Sequence, residues 1–156
     1  MVKKILMIVF VAVFFAGCKK DNKCDYNECA VKASDTEIQG VKDYLASQNI
    51  TNATQHCSGI FYVIDKAGTG KHPAACSSVN VTYRGMLTNG VVFDQGTADL
   101  GLDEVIRGWR NGIPLIGPGG FIHLYIPPSL GYGSNANGPI PANSILVFDV
   151  ALNATN

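Results

Sequence analysis

Apolar and polar positions follow three different patterns along this chain. The first is an unbroken apolar run, Ile5 to Ala16, preceded by Lys3 and Lys4. Twelve residues are too few to cross a bilayer as a helix, which takes about 20. A polar stretch without periodicity follows, Lys19 to Lys23. The second pattern begins at Ser34. Ser34-x-x-Glu37 has the form of a capping box, and apolar residues at Ile38, Val41 and Leu45 then recur on one helical face. This predicts a helix ending near Ser47–Asn49, with a stripe that has to bury against the domain that follows.

From Gly59 the period shortens to two. Ile60–Ile64 reads as a strand, stopped by Gly68, Gly70 and Pro73. Val79-x-Val81-x-Tyr83 alternates as a half-buried strand does. Asn89–Gly90 is a turn leading into Val91–Val92–Phe93. Glu104 to Asn111 reads as a short helix closed by Gly112 and Pro114. Ile122, Leu124 and Ile126 alternate within a strand that Pro127–Pro128 ends. After a Gly/Pro/Asn-rich loop, Gly131 to Asn143, the last strand is Ile145–Leu152, with Leu146, Phe148, Val150 and Leu152 on one face. Strands around one short helix predict an α+β fold with a twisted antiparallel sheet. The expected organisation is a signal over 1–17, a tether with cysteines over 18–33, a helical extension over 34–57 and the main domain over 58–156.

Composition narrows the partners. Twelve cationic and twelve anionic side chains balance, and without Lys3 and Lys4 ten face twelve, so nothing suggests a nucleic-acid surface. A positive start, an apolar core and small residues before a cut site make a secretory signal. Phe15–Ala16–Gly17–Cys18 resembles a bacterial lipobox, with Phe15 where Leu is usual; Cys18 would be lipidated and become the new N-terminus. A plain signal peptide, with Cys18 an ordinary thiol, is the alternative. Lys19–Lys20–Asp21 also resembles the short charged signal with which some bacteria display lipoproteins on the cell surface. The expected location is therefore the cell envelope, on the periplasmic or surface face of the outer membrane, with the membrane reached through the lipid alone. Cys24, Cys29, Cys57 and Cys76 remain, an even number for an oxidising compartment, which favours two disulfides over zinc. Their spacing leaves all three pairings open.

Five features carry a family resemblance: Val-x-Tyr83-x-Gly, Phe93–Asp94, Glu104–Val105–Ile106–Arg107–Gly108–Trp109, Gly131–Tyr132–Gly133, and Leu146–Val147–Phe148–Asp149–Val150. In this order they resemble the FKBP-type peptidyl-prolyl isomerases over roughly Gly59 to Leu152. The resemblance implies a sheet half-wrapped around the short helix, with an apolar pocket between them. Trp109 would be its floor, Tyr83, Phe93, Val105, Ile106 and Phe148 its walls, and Asp94 its rim. The Tyr132 hydroxyl and the Ile106 N–H would hold peptide carbonyls, and Ile140 would add to the lining. Proline-containing polypeptides would be the clients, with no metal or cofactor. Tyr83, Val105 and Phe148 would also be core residues in any fold of this pattern. Two departures stand out. The stretch from Gln95 to Asp103 is shorter than in the family's best-known members and lacks their additional pocket aromatic, which implies a more open wall. The loop Ser134–Ile140 is also short and has no aromatic or histidine. The family topology further implies that Cys57 and Cys76 lie at opposite ends of the sheet, so that Cys24 and Cys29 tie the N-terminal extension to the domain.

Overall fold

The computed structural model describes residues 24–156; Cys18, the expected signal and most of the tether lie outside the described residues. Helix α1 spans Asp35–Ser47 and helix α2 Arg107–Gly112. The strands are β1 Thr54–Gln55, β2 Phe61–Lys66, β3 Ser78–Leu87, β4 Val92–Gly101, β5 Gly120–Ile126 and β6 Leu146–Thr155. They form one antiparallel sheet in the order β1-β2-β5-β6-β3-β4.

Pleating divides the sheet into two faces. Ile122, Leu124 and Ile126 of β5, with Leu146, Phe148, Val150 and Leu152 of β6, are buried on the face that receives α2. That helix sits close because it has glycines toward the sheet: a Cβ at Gly108 or Gly112 would come within 2.5 Å of Ile126 or Leu124. Helix α1 covers the other face, where the Tyr44 and Tyr125 rings meet with centroids 6.2 Å apart. Its expected stripe, Ile38, Val41 and Leu45, is buried.

The capping box is present in both directions. The Glu37 N–H donates to Ser34 Oγ at 3.3 Å and the Ser34 N–H donates to Glu37 Oε2 at 2.9 Å. Glu37 then does a second job. Its carboxylate accepts from the Ser129 N–H at 2.8 Å and the Ser129 hydroxyl at 2.9 Å, fastening α1 to the turn after β5. Partial burial pushes this carboxyl up, but the hydrogen bonds from Ser34 and Ser129 outweigh it and hold Glu37 below the usual carboxylate range.

Two disulfides close the N-terminal segment onto the domain, Cys24–Cys76 and Cys29–Cys57, with Cα separations of 5.7 and 5.5 Å. Both cysteines of the extension reach the sheet domain, as the family topology implied. Cys29 and Cys57 lie beside Glu28, but their sulfurs are bonded to each other and offer no thiolate to a metal.

Three local expectations change. Helix α2 begins at Arg107 and not at Glu104. The Glu104 N–H closes a turn on the Gly101 carbonyl, and Ile106 stays extended with ψ 148° and no capping side chain. Two adjacent β-branched residues, Val105 and Ile106, disfavour helix there. The stretch Gln95–Gly101, left without a strand in the sequence pattern, continues β4, paired to β3 as far as Ser78. Residues 54–55, within the expected helical extension, form an edge strand on β2.

On the α1 side of the sheet, His123 bridges two carboxylates, Nδ1 to Asp149 at 2.7 Å and Nε2 to Asp65 at 3.0 Å. Burial pulls the imidazole down, but the hydrogen bonds and charges of Asp65 and Asp149 outweigh it and raise His123 above the usual histidine value. A raised folded-state value stabilises the fold below the unfolded value, about 6.5, and that contribution disappears as pH rises through the folded value. Urea midpoints should therefore fall as pH rises from about 6 to 8, and His123→Gln should flatten that dependence. An unchanged slope in the variant would assign the pH effect elsewhere.

Candidate active site

The site is built where β3, β4 and β6 turn their α2-side residues toward the short helix. Tyr83 and Gly85 of β3 lie opposite Val150 and Phe148 of β6. On β4 the pairing shifts between Gly85↔Asp94 and Met86↔Val92, leaving Phe93 as the extra residue of a bulge. Neighbours in a strand normally face opposite ways. The bulge is what lets Phe93 and Asp94, adjacent in sequence, both line the same cleft.

That cleft has a volume of about 290 Å³ and is lined by Tyr83, Phe93, Asp94, Leu100, Glu104, Val105, Ile106, Trp109, Tyr132 and Phe148. Four rings run through it edge to face: Tyr83 on Trp109 at 5.2 Å, Trp109 on Phe148 at 5.1 Å, and Phe148 on Phe93 at 5.5 Å. This is the favoured aromatic geometry, worth about 0.5–1.5 kcal/mol per pair beyond burial. Trp109 is 5% exposed and Tyr132 39%, so one is floor and the other rim. The Trp109 indole nitrogen is buried and has no hydrogen-bond partner among the described residues.

The polar groups are few. The Tyr83 hydroxyl donates to Asp94 Oδ2 at 2.8 Å. Burial, and then the hydrogen bond to Asp94, push the Tyr83 phenol above its usual value, so it stays protonated and donating. Ile106 stands at the entrance to α2, and among the described residues its N–H makes no backbone hydrogen bond.

Of the residues singled out in the sequence, Tyr83, Phe93, Asp94, Val105, Ile106, Trp109, Tyr132 and Phe148 meet in this one cleft. Ile140 does not. It is 4% exposed and lines an adjoining depression with Asn137, Gly138 and Pro139, which shares Phe93, Asp94 and Tyr132 with the cleft. The sequence reading missed Leu100 and Glu104. Leu100 follows Ala98 and Gly96 by twos on the inward face of β4, a signal visible only once that stretch is read as strand. Gly96, the ladder partner of Tyr83 on β4, brings no side chain to the cleft.

A family model described as FKBP-type peptidyl-prolyl cis-trans isomerase matches residues 69–153. The chain is 41% identical over 121 residues to the FKBP-type peptidyl-prolyl cis-trans isomerase FkpA of Buchnera aphidicola (subsp. Schizaphis graminum), a match covering 74% of this chain and 48% of that one. The crystal structure of FkpA from Escherichia coli superposes with a TM-score of 0.70 at 35% identity, over 78% of this chain and 60% of the other. A peptidyl-prolyl cis-trans isomerase structure from Pseudomonas syringae pv. tomato gives 0.69 at 28% identity, over 80% of this chain and 96% of the other. The chain spans about half the length of the curated relatives it matches. With the family model spanning just over half the chain and four rings meeting edge to face in the cleft, the chain belongs to the FKBP-type peptidyl-prolyl cis-trans isomerase family.

Proposed function

We propose that this chain catalyses cis–trans isomerisation of X–Pro bonds in exported polypeptides, from a lipid anchor at Cys18 on the bacterial cell envelope. The observation that carries the catalytic reading is the run of edge-to-face rings over Trp109, with Tyr83 bonded to Asp94 at its rim. Rotation about a peptide bond costs about 18–20 kcal/mol because it breaks amide resonance. For X–Pro the end states differ by only about 0.5–1 kcal/mol, yet exchange takes tens to hundreds of seconds. No bond is made or broken. The enzyme has only to prefer the twisted amide over the planar one, and about 8 kcal/mol of preference gives a millionfold.

The planar amide is the more dipolar form, so a pocket of rings disfavours it relative to the twisted one. The proline ring packs on Trp109 between Tyr83 and Phe148. The Ile106 N–H and the Tyr132 hydroxyl hold carbonyls of the bound peptide and keep it from turning as a whole while the amide twists. Asp94 fixes the Tyr83 ring and places one negative charge at the rim. The envelope location is supported by the apolar run ahead of Cys18 and by two disulfides that suit an oxidising compartment.

A second reading, a binding module that grips proline-containing partners without turnover, is favoured by the stretch from Gln95 to Asp103, which gives the cleft Leu100 but no aromatic side chain. One assay separates the two. The disulfide-bonded chain should accelerate relaxation of a short Leu-Pro or Phe-Pro peptide, and Asp94→Val with Tyr83→Phe should lower kcat/KM by about 10- to 100-fold while the domain stays folded. A folded wild type without acceleration would transfer the site to the binding reading.

A further inference from the structure

We infer that the N-terminal strap, residues 24–29, is a positioning element for the pocket floor: Tyr26, through Asn111, holds α2 in the orientation that presents Trp109. The inference rests on the isomerase reading above. Helix α2 has six residues, too few to persist in water unaided, and its N-terminal end at Ile106 has no side-chain cap. Gly108 and Gly112 set its distance from the sheet. Two smooth glycine surfaces do not by themselves fix how the helix rotates or slides.

The flank away from the sheet supplies that restraint. Asn111 is 1% exposed, and the strap satisfies both ends of its amide. The Tyr26 hydroxyl donates to Asn111 Oδ1 at 2.7 Å, and Asn111 Nδ2 donates to the Glu28 carbonyl at 3.2 Å. One residue earlier, the Arg110 guanidinium lies over the Tyr26 ring, 3.9 Å from its centroid, and Arg110 Nε donates to the Ala75 carbonyl at 3.0 Å. The two residues immediately after Trp109 are thus the two that the strap grips. The strap is itself pinned on both sides of Tyr26, at Cys24 to Cys76 and at Cys29 to Cys57. Leaving a buried amide without a partner is costly, so the helix moves rather than leave Asn111 unpaired. Tyr26, Arg110 and Asn111 stand outside the cleft lining, so any effect they have on it passes through α2.

Trp109 is the sole tryptophan, so its emission reports the floor alone. Tyr26→Phe removes one hydroxyl and leaves the ring beneath Arg110. The experiment measures Trp109 emission, kcat and KM on an X–Pro peptide, and Tm, for the disulfide-bonded wild type and Tyr26→Phe. Ser34→Ala serves as a control that loosens α1 without touching α2. Tyr26→Phe is expected to shift the emission and lower kcat/KM by about 3- to 10-fold, where Ser34→Ala at a similar loss of Tm does neither. Opening the outer bridge by Cys24→Ala with Cys76→Ala should shift the emission in the same direction. The inference is overturned if Tyr26→Phe keeps wild-type emission and kcat/KM, or loses only what Ser34→Ala loses. A wild type inactive on every X–Pro peptide would instead sink the isomerase reading, and the emission comparison would still decide the strap's role.

Discussion

Gly85→Ala is expected to lose about 1–3 kcal/mol of stability, the range for overpacking a filled site, together with most of its isomerase turnover. Gly85 lies on β3 opposite Phe148 on one side and Asp94 on the other. A Cβ there would come within 2.6 Å of Phe148 Cε1 and of Phe93 Cε2, and within 2.7 Å of Phe93 Cζ. The reason for glycine is space, since two rings occupy the volume where a side chain would stand. Both rings would have to retreat, and Phe148 is seated edge-on to Trp109, so the displacement reaches the floor of the cleft. Gly96 is the matched control. It faces the same side of the sheet opposite Tyr83, and a Cβ there meets nothing within 4 Å. Gly96→Ala should stay within about 1 kcal/mol of wild type, on the stabilising side if its backbone tolerates alanine. Denaturant midpoints and kcat/KM for the pair decide it; equal behaviour of the two variants would show that the ring packing at Gly85 is looser than the geometry implies.

The second large effect concerns the disulfides. Cys24–Cys76 joins residues 52 apart and Cys29–Cys57 residues 28 apart. In the chain-entropy account each bridge removes about 3–4 kcal/mol of freedom from the unfolded chain. A domain's whole stability is about 5–15 kcal/mol. Replacing all four cysteines by alanine should therefore bring the domain to the edge of unfolding at ambient temperature. The smaller loop lies wholly within the larger, so each bridge shortens the loop that the other closes, and the fourfold variant should lose more than the two paired variants' losses added together. Urea titrations of the two paired alanine variants and of the fourfold variant measure this. Wild-type midpoints in all three would mean that the bridges close loops already held by the Tyr26–Asn111 and α1 contacts.

Much of this site is legible in the order of residues alone. Tyr83, Trp109, Tyr132 and Phe148 stand in motifs where the backbone period and the chemistry coincide, and each lines the cleft. Ser34 and Glu37 are equally plain, because a capping box is a local device completed within four residues. The features that escape such a reading depend on partners far along the chain. The continuation of β4 through Gly96, Ala98 and Asp99 has poor strand propensity, and pairing with β3 holds it extended. Leu100 is hidden with it. Helix α2 starts three residues later than its pattern suggests, because Val105 and Ile106 carry a helical apolar spacing while their branched side chains favour the extended backbone they adopt. Ile140 has the right character for a pocket residue, yet its loop folds back through Asn137 and buries it beside the cleft rather than in it. Glu37 reaching Ser129 and Tyr26 reaching Asn111 leave no periodic trace at all, since each joins side chains more than eighty positions apart.

The nesting of the two bridges also constrains the order in which the chain can mature. The four bridged cysteines come off the ribosome in the order Cys24, Cys29, Cys57 and then Cys76. A chain oxidised as it emerges meets Cys24 and Cys29 together, with neither native partner yet in existence, and bonding neighbours in order of arrival would give two local loops in place of the native pair. Cys29 gains its partner when Cys57 appears, but Cys24 must wait for Cys76, by which point only β1 and β2 of the sheet have been made. The strap can close correctly if oxidation is slower than synthesis, or if early bonds are reshuffled by thiol exchange with the surroundings.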